Sequence, residues 1–149
     1  MRRRASSRLL VLDPTQSLLL FHFSHARGAL AGQAFWATPG GGLLPGESFA
    51  DAGVRELLEE TGITVAGLGD PVHAREFPMT MPDGEVVLAD ERFFVVCAPS
   101  RDIARDRWTA LEDEVMVAHR WWTAAELAST NEIIRPDNLA QMLASIGRW

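Results

Sequence analysis

Four ionisable side chains crowd six positions of one segment: Arg55, Glu56, Glu59 and Glu60, within "PGGGLLPGESFADAGVRELLEETGI", residues 39–63. If the segment is helical, Glu56, Glu59 and Glu60 stand at i, i+3 and i+4 and share one side. Three adjacent carboxylates repel one another, and this chain contains no lysine to pair with them. The arrangement becomes favourable when a divalent cation sits among them. Oxygen ligands without His or Cys at ligand spacing suit Mg²⁺ or Mn²⁺ rather than Zn²⁺. The carboxylates also fall in the last turns of the expected helix, where free carbonyls carry partial negative charge that a cation complements. Magnesium usually keeps several waters and is completed by substrate phosphates, so the cluster points to phosphate chemistry. Gly40, Gly41 and Gly42 fit that role, because their bare backbone can bring a carbonyl to a metal or an amide to a phosphate oxygen.

Other chemistries are excluded by composition and spacing. All fourteen basic residues are Arg and there is no Tyr, which removes Schiff-base chemistry, a phosphate-loop lysine and any tyrosine acid or base. Pro45 stands where a dinucleotide-binding G-x-G-x-x-G needs its third glycine, and "GESFA" lacks the closing glycine of a serine nucleophile elbow. A net charge of −6 argues against an extended nucleic-acid surface. The single cysteine, Cys97, allows no internal disulfide, suits a reducing cytoplasm and is expected in the core within "RFFVVCA". The apolar run after Arg2, Arg3 and Arg4 is too short for a signal segment or membrane span, and residues 1–7 are expected to be a solvated, flexible terminus.

The elements that must position the cluster are legible as apolar patterns. Residues 8–13 and 17–23 read as two strands joined by "PTQ", and "WAT" as a short strand entering the glycine loop. Ser48 can cap a helix over residues 48–61, with Gly62 as its left-handed terminator and Ala50, Val54, Leu57 and Leu58 as its apolar side. "ITVAGL", "VHAREF", "EVVLA" and "RFFVVCA" read as four more strands, with "MPDGE" a turn between the second and third. "RDIARDRWTALEDE" reads as a long charged loop, "VAHRWWT" as a last strand, and "AAELAS" as a short helix capped by Thr123. A terminal helix is expected from Pro136, with Leu139, Met142, Leu143 and Ile146 on one face. With 149 residues and no linker, one domain of α/β (α+β) class with layered order is expected.

Gly41, five residues, Glu47, seven residues and then Arg55-Glu56-Leu57-Leu58-Glu59-Glu60-Thr61-Gly62-Ile63 resembles the complete Nudix box, G-x5-E-x7-R-E-U-x-E-E-x-G-U, with no fixed position altered. "W-x-x-P-G-G" and "RWWTAAEL" are similar to Nudix sequences more loosely. The resemblance implies an α/β/α sandwich with a mixed central sheet, a loop-helix-loop metal site, and hydrolysis of a nucleoside diphosphate linked to another moiety X. Carried over by position, it implies Glu59 and Glu60 as principal metal ligands, the Gly40 carbonyl as a further one, and Glu56 as ligand or general base. Arg55 would orient the glutamates, and Glu47 with Gly41 would brace the loop. Nudix enzymes often present one more carboxylate from outside the box, and of Glu112, Asp113 and Glu114 the choice falls on Glu114, beside the last strand.

The resemblance leaves two substrate classes, a nucleoside triphosphate, including oxidised ones, which is preferred for the small size and short N-terminal region, and ADP-ribose or another nucleoside diphosphate sugar, for which Pro78 is the one pointer. A non-catalytic nucleotide-sensing domain is the alternative of another class, against which stands the retention of every box glutamate. The expected partner is a nucleotide, with no membrane, for a monomer or homodimer. His22, His25, His73 and His119 are expected to be structural, with His119 nearest the late acidic cluster. Trp36 is expected in packing, and alternation requires at least one of Trp121 and Trp122 to face inward.

Overall fold

The apolar runs pair into one curled sheet, and their alternation decides what covers it. The computed structural model describes residues 1–149. In chain order the elements are β1 (Arg3–Leu12), β2 (Leu18–Ser24), β3 (Ala34–Ala37), β4 (Gly40–Gly42), α1 (Phe49–Thr61), β5 (His73–Thr80) and β6 (Val86–Cys97), followed by α2 (Ala110–Val115), β7 (Met116–Trp122), α3 (Ala124–Ser129), β8 (Ile134–Arg135) and α4 (Leu139–Ser145). The strands form a mixed sheet in the order β5-β6-β1-β2-β3-β8, with β4 pairing β1 and β7 pairing β2. β1 runs parallel to β6 along its whole length, but meets β2 only at Leu12↔Leu18. Beyond that point the two strands diverge, and β4 takes the vacated edge through Ser6↔Gly42 and Arg8↔Gly40.

Successive strand residues point to opposite faces. Leu9, Val11, Leu19, Phe21, Phe94, Val96 and Trp121 lie on one face with Leu57 of α1 and Trp108. Leu10, Leu12, Leu18, Leu20, Phe93 and Trp122 lie on the other with Leu139, Met142 and Leu143 of α4. Both faces are therefore dry, which explains why the strands read as continuous apolar runs rather than alternating ones. Trp121 and Trp122 are both buried, one in each core. The result is the helix-sheet-helix sandwich with a mixed sheet that the α+β order predicts.

Several local expectations are corrected. The N-terminus is not frayed: β1 begins at Arg3, Arg2 pairs with Glu85 at 2.9 Å, and Arg3 reaches Glu76 at 2.6 Å and Asp90 at 3.3 Å. Parallel pairing to β6 supplies partners for the backbone that a free terminus would lack. "EVVLA" and "RFFVVCA" fuse into β6, because the charged residues between them are paired within the sheet. Glu91, only 2% exposed, accepts from Arg8 at 2.9 Å and Arg75 at 2.7 Å, while Asp90 faces Arg3 and Arg92. Burial would raise the Glu91 carboxyl, yet the two guanidinium groups hold it below its usual range. "ITVAGL" forms no strand; Ile63, Val65 and Leu68 pack onto the first core from irregular backbone. Cys97 is exposed at the last residue of β6. The "long loop" contains α2, the terminal helix starts at Leu139 rather than Pro136, and β8 was not anticipated.

Because β1 is paired on both edges from Ser6 to Arg8, the amides of that segment should exchange as slowly as those of Leu9–Leu12. Hydrogen exchange followed by NMR checks this; rapid exchange across residues 5–8 would show a frayed strand.

Candidate metal centre

α1 is delimited as its sequence requires. Ser48 is the N-cap, its Oγ accepting from the Asp51 amide at 3.0 Å, and Gly62 ends the helix at φ 78° with its amide donating to the Leu58 carbonyl. The buried stripe is Ala52, Gly53, Glu56, Leu57, Glu60 and Thr61; of the expected apolar side Leu57 is buried, while Ala50, Val54 and Leu58 are only half-buried. Gly53 sets this rotation, since a Cβ there would run into Leu68 and leave little room beside Leu9. The close approach turns Glu56 and Glu60 towards the sheet, 8% and 1% exposed, and leaves Glu59 at the rim.

The glycine strand makes room for these carboxylates. The Gly40 amide donates to Glu60 Oε1 at 2.8 Å, and at φ 142°, with the Ser7 carbonyl against any Cβ, the position requires glycine. A side chain at Gly41 would occupy the space of the Glu56 carboxylate. Arg55 uses all five of its N–H donors: two reach Glu47 at 2.9 and 2.8 Å, and the others reach Glu56 at 3.0 Å, Glu59 at 3.3 Å and the Gly42 carbonyl at 2.9 Å. This bidentate pair, with a bond from the Leu44 amide, holds the Glu47 carboxyl down to about 2.

A third carboxylate, half-buried, comes from α2. Glu56, Glu60 and Glu112 each present an oxygen within 4.8 Å of the others. Glu112 is aimed by a capping box: the Thr109 hydroxyl accepts from the Glu112 amide, and the Glu112 carboxylate accepts from the Thr109 amide at 2.9 Å. Trp108 anchors the segment, its indole N–H donating to the Glu60 carbonyl at 2.8 Å while its ring packs edge-on against Phe21 at 5.6 Å. The signal for α2 was in the sequence as T-x-x-E at Thr109–Glu112; nothing local marked Trp108 as its anchor.

Glu114 lies elsewhere, paired with Arg27 at 2.7 Å, so the geometry favours Glu112 over the expected Glu114. Glu59 bonds Arg55 and stands outside the triad. The histidines join none of it: His22 stacks on Trp36, His25 on Phe35, His119 meets Phe21 edge-on and His73 tilts against Phe93.

Burial pushes the Glu60 carboxyl well above its usual range, the neighbouring Glu56 adds to the rise, and the Gly40 amide offsets only part of it. Burial also raises Glu56, with Arg55 opposing. Carboxylates buried together at such cost, with oxygen donors only, fit a hard divalent cation.

The sequence profile of the NUDIX domain matches residues 1–143. The chain belongs to the Nudix hydrolase family. Membership places it among the Nudix pyrophosphohydrolases. Among solved structures, a MutT protein from Methanosarcina mazei Go1 is similar with a TM-score of 0.72 at 21% identity, covering 99% of this chain and 94% of its own. The dihydroneopterin triphosphate pyrophosphohydrolase of E. coli gives 0.61 at 23%, covering 89% and 90%. The NUDIX domain of Shewanella oneidensis NrtR, complexed with ADP ribose, gives 0.63 at 12%, covering 98% and 89%. At these identities the likeness shows a shared Nudix fold. No curated protein sequence matches this chain significantly. No helix is long and apolar enough to cross a membrane.

The Glu47–Arg55 pair gives a direct test of the brace. Since the folded Glu47 pKa lies below its ordinary 4.5, the pair stabilises the fold fully above that value and is lost as pH falls towards about 2. In Arg55→Gln, Glu47 should titrate near 4.5 by NMR, and the Glu56 and Glu59 carboxylates should lose their fixed positions. A Glu47 pKa still near 2 in that variant would show that Arg55 is not its cause.

Proposed function

We propose that this Nudix protein hydrolyses a diphosphate linkage in a nucleoside diphosphate linked to X, with nucleoside triphosphates, including oxidised ones, giving nucleoside monophosphate and pyrophosphate. The observation that carries this reading is the cluster of buried Glu56 and Glu60 with half-buried Glu112 beside a side-chain-free strand, the first two belonging to a box whose fixed positions are all filled. Mg²⁺, with Mn²⁺ as a substitute, is the ion that this oxygen donor set suits. Glu60 and Glu112 would hold it, with Glu59 and the Gly40 carbonyl within the same loop-helix unit as further ligands and Glu56, which faces the same space, as the general base. When bound, the ion polarises phosphoryl oxygens, lowers the pKa of the attacking water and stabilises the leaving phosphate.

The chain's own residues supply positioning and proton transfer. Arg55 engages Glu56 Oε1, leaving Oε2 to hold the proton taken from water. Glu47 and Gly41 keep the loop close, and Trp108 keeps Glu112 facing the box helix. Activity should disappear on chelation of divalent ions and return with Mg²⁺. Glu60→Gln and Glu112→Gln should each lower kcat by about a hundredfold or more without unfolding the protein, whereas Glu114→Ala should leave it within about threefold. Wild-type turnover in both Gln variants would sink the metal-centre reading; a large loss in Glu114→Ala with none in Glu112→Gln would restore Glu114 to the role.

The triphosphate preference is in keeping with a structural neighbour named as a dihydroneopterin triphosphate pyrophosphohydrolase. The second reading, ADP-ribose hydrolysis, is favoured by Pro78, which lies in β5 opposite Leu88. A substrate panel with Mg²⁺, distinguishing pyrophosphate from sugar phosphate among the products, decides between them. A kcat/KM about tenfold or more higher for ADP-ribose would reverse the preference.

A further inference from the structure

Gly41 and Gly42 are successive residues of β4, so the spaces left by their missing side chains lie on opposite faces of the sheet. The space at Gly41 is taken by the Glu56 carboxylate. At Gly42 a Cβ would stand 3.4 Å from Nη2 and 3.6 Å from Cζ of Arg4. A bare glycine strand is thus all that separates an acidic site from a guanidinium group.

Arg4 is alone among the arginines of this chain. Every other one has a carboxylate within salt-bridge distance, an aromatic ring beneath it as Arg135 has Phe35, or a side-chain oxygen as Arg148 has Gln16. Arg4 is half-buried and has none of these. It shares its face with Arg8, and across the sheet with Arg75, around a single carboxylate, Glu91, whose bonds go to Arg8 and Arg75. Burial and the nearby Arg8 make its charge costly, and Glu91 and Glu56 compensate at a distance without bonding it. A desolvated guanidinium with five free donors in a planar fork is suited to an oxyanion.

We propose, resting on the hydrolytic reading above, that Arg4 binds a phosphate oxygen of the substrate at the β4 edge, while the triad and its cation serve a neighbouring phosphate. A diphosphate group has oxygens on two phosphorus atoms, and the two sides of the glycine strand offer one electrostatic partner for each. The residue sets binding of the diphosphate and takes no part in the proton transfer.

The test uses the full chain as wild type, Arg4→Gln, Arg4→Met, which keeps the aliphatic stem against Gly42, and Arg4→Lys. Binding of inorganic imidodiphosphate with excess Mg²⁺ is measured by calorimetry, together with kcat and KM for a nucleoside triphosphate and the ligand-free thermal midpoint. Imidodiphosphate affinity should fall and KM should rise by about tenfold or more in Arg4→Gln and Arg4→Met, with kcat within about threefold; Arg4→Lys should recover part of the loss. Wild-type affinity and KM in a folded removal variant, whatever its thermal midpoint, would reduce Arg4 to a strand-supporting residue and overturn the proposal. So would a wild-type protein that does not bind imidodiphosphate. Arg4-dependent binding in a wild type that turns over no nucleotide would sink the hydrolytic reading while leaving Arg4 as a phosphate-binding residue.

Discussion

Two carboxylates buried side by side, Glu56 and Glu60, are the constraint around which this protein is built. An isolated ionised carboxylate in a dry site is costly by several kcal/mol, and two together add mutual repulsion. Each neighbouring feature answers that cost. The Gly40 amide donates to Glu60, Arg55 donates to Glu56, and the absence of a side chain at Gly41 leaves Glu56 its place. What the protein groups leave uncompensated, as the raised Glu60 shows, is what a divalent cation would supply.

The sheet's divergence creates the space for this arrangement. β1 and β2 touch only at Leu12↔Leu18, so β4 can lie against the free half of β1 and present its glycines to α1. On the same strands, the inward arginines Arg8 and Arg75 are balanced by Glu91, which lets a charged layer continue a sheet whose other half is apolar on both faces. A charge in the middle of a strand thus marks a change from apolar core to polar cleft, not the end of the strand.

Much of this was legible in the sequence because the relevant interactions are local. The limits of α1 follow from Ser48 and Gly62, the β5–β6 turn from "MPDGE", and the cap of α3 from Thr123, since each bond spans only a few residues. Family membership was legible for a related reason: the box joins loop, helix and ligands within one continuous segment. Reading failed where a partner lay far along the chain. The first residues look like a solvated tail until β6, more than eighty residues on, pairs with them. Asp90 and Glu91 look like a strand break until Arg3, Arg8 and Arg75 are beside them.

The sequence by itself determined the kind of site: oxygen ligands, a glycine approach and an arginine brace, all encoded by residue type and helical spacing within 23 residues. Tertiary structure alone decided which carboxylates face one another. The helix rotation that buries Glu56 and Glu60 depends on how closely Gly53 lets α1 approach Leu9 and Leu68, and no helical wheel contains that distance. The choice of Glu112 over Glu114 depends on a capping box that orients one side chain and on an indole from Trp108 that ties its segment to the Glu60 carbonyl. Two acidic residues two apart on a short helix point about 200° apart, so packing, not composition, selects the one that meets the box.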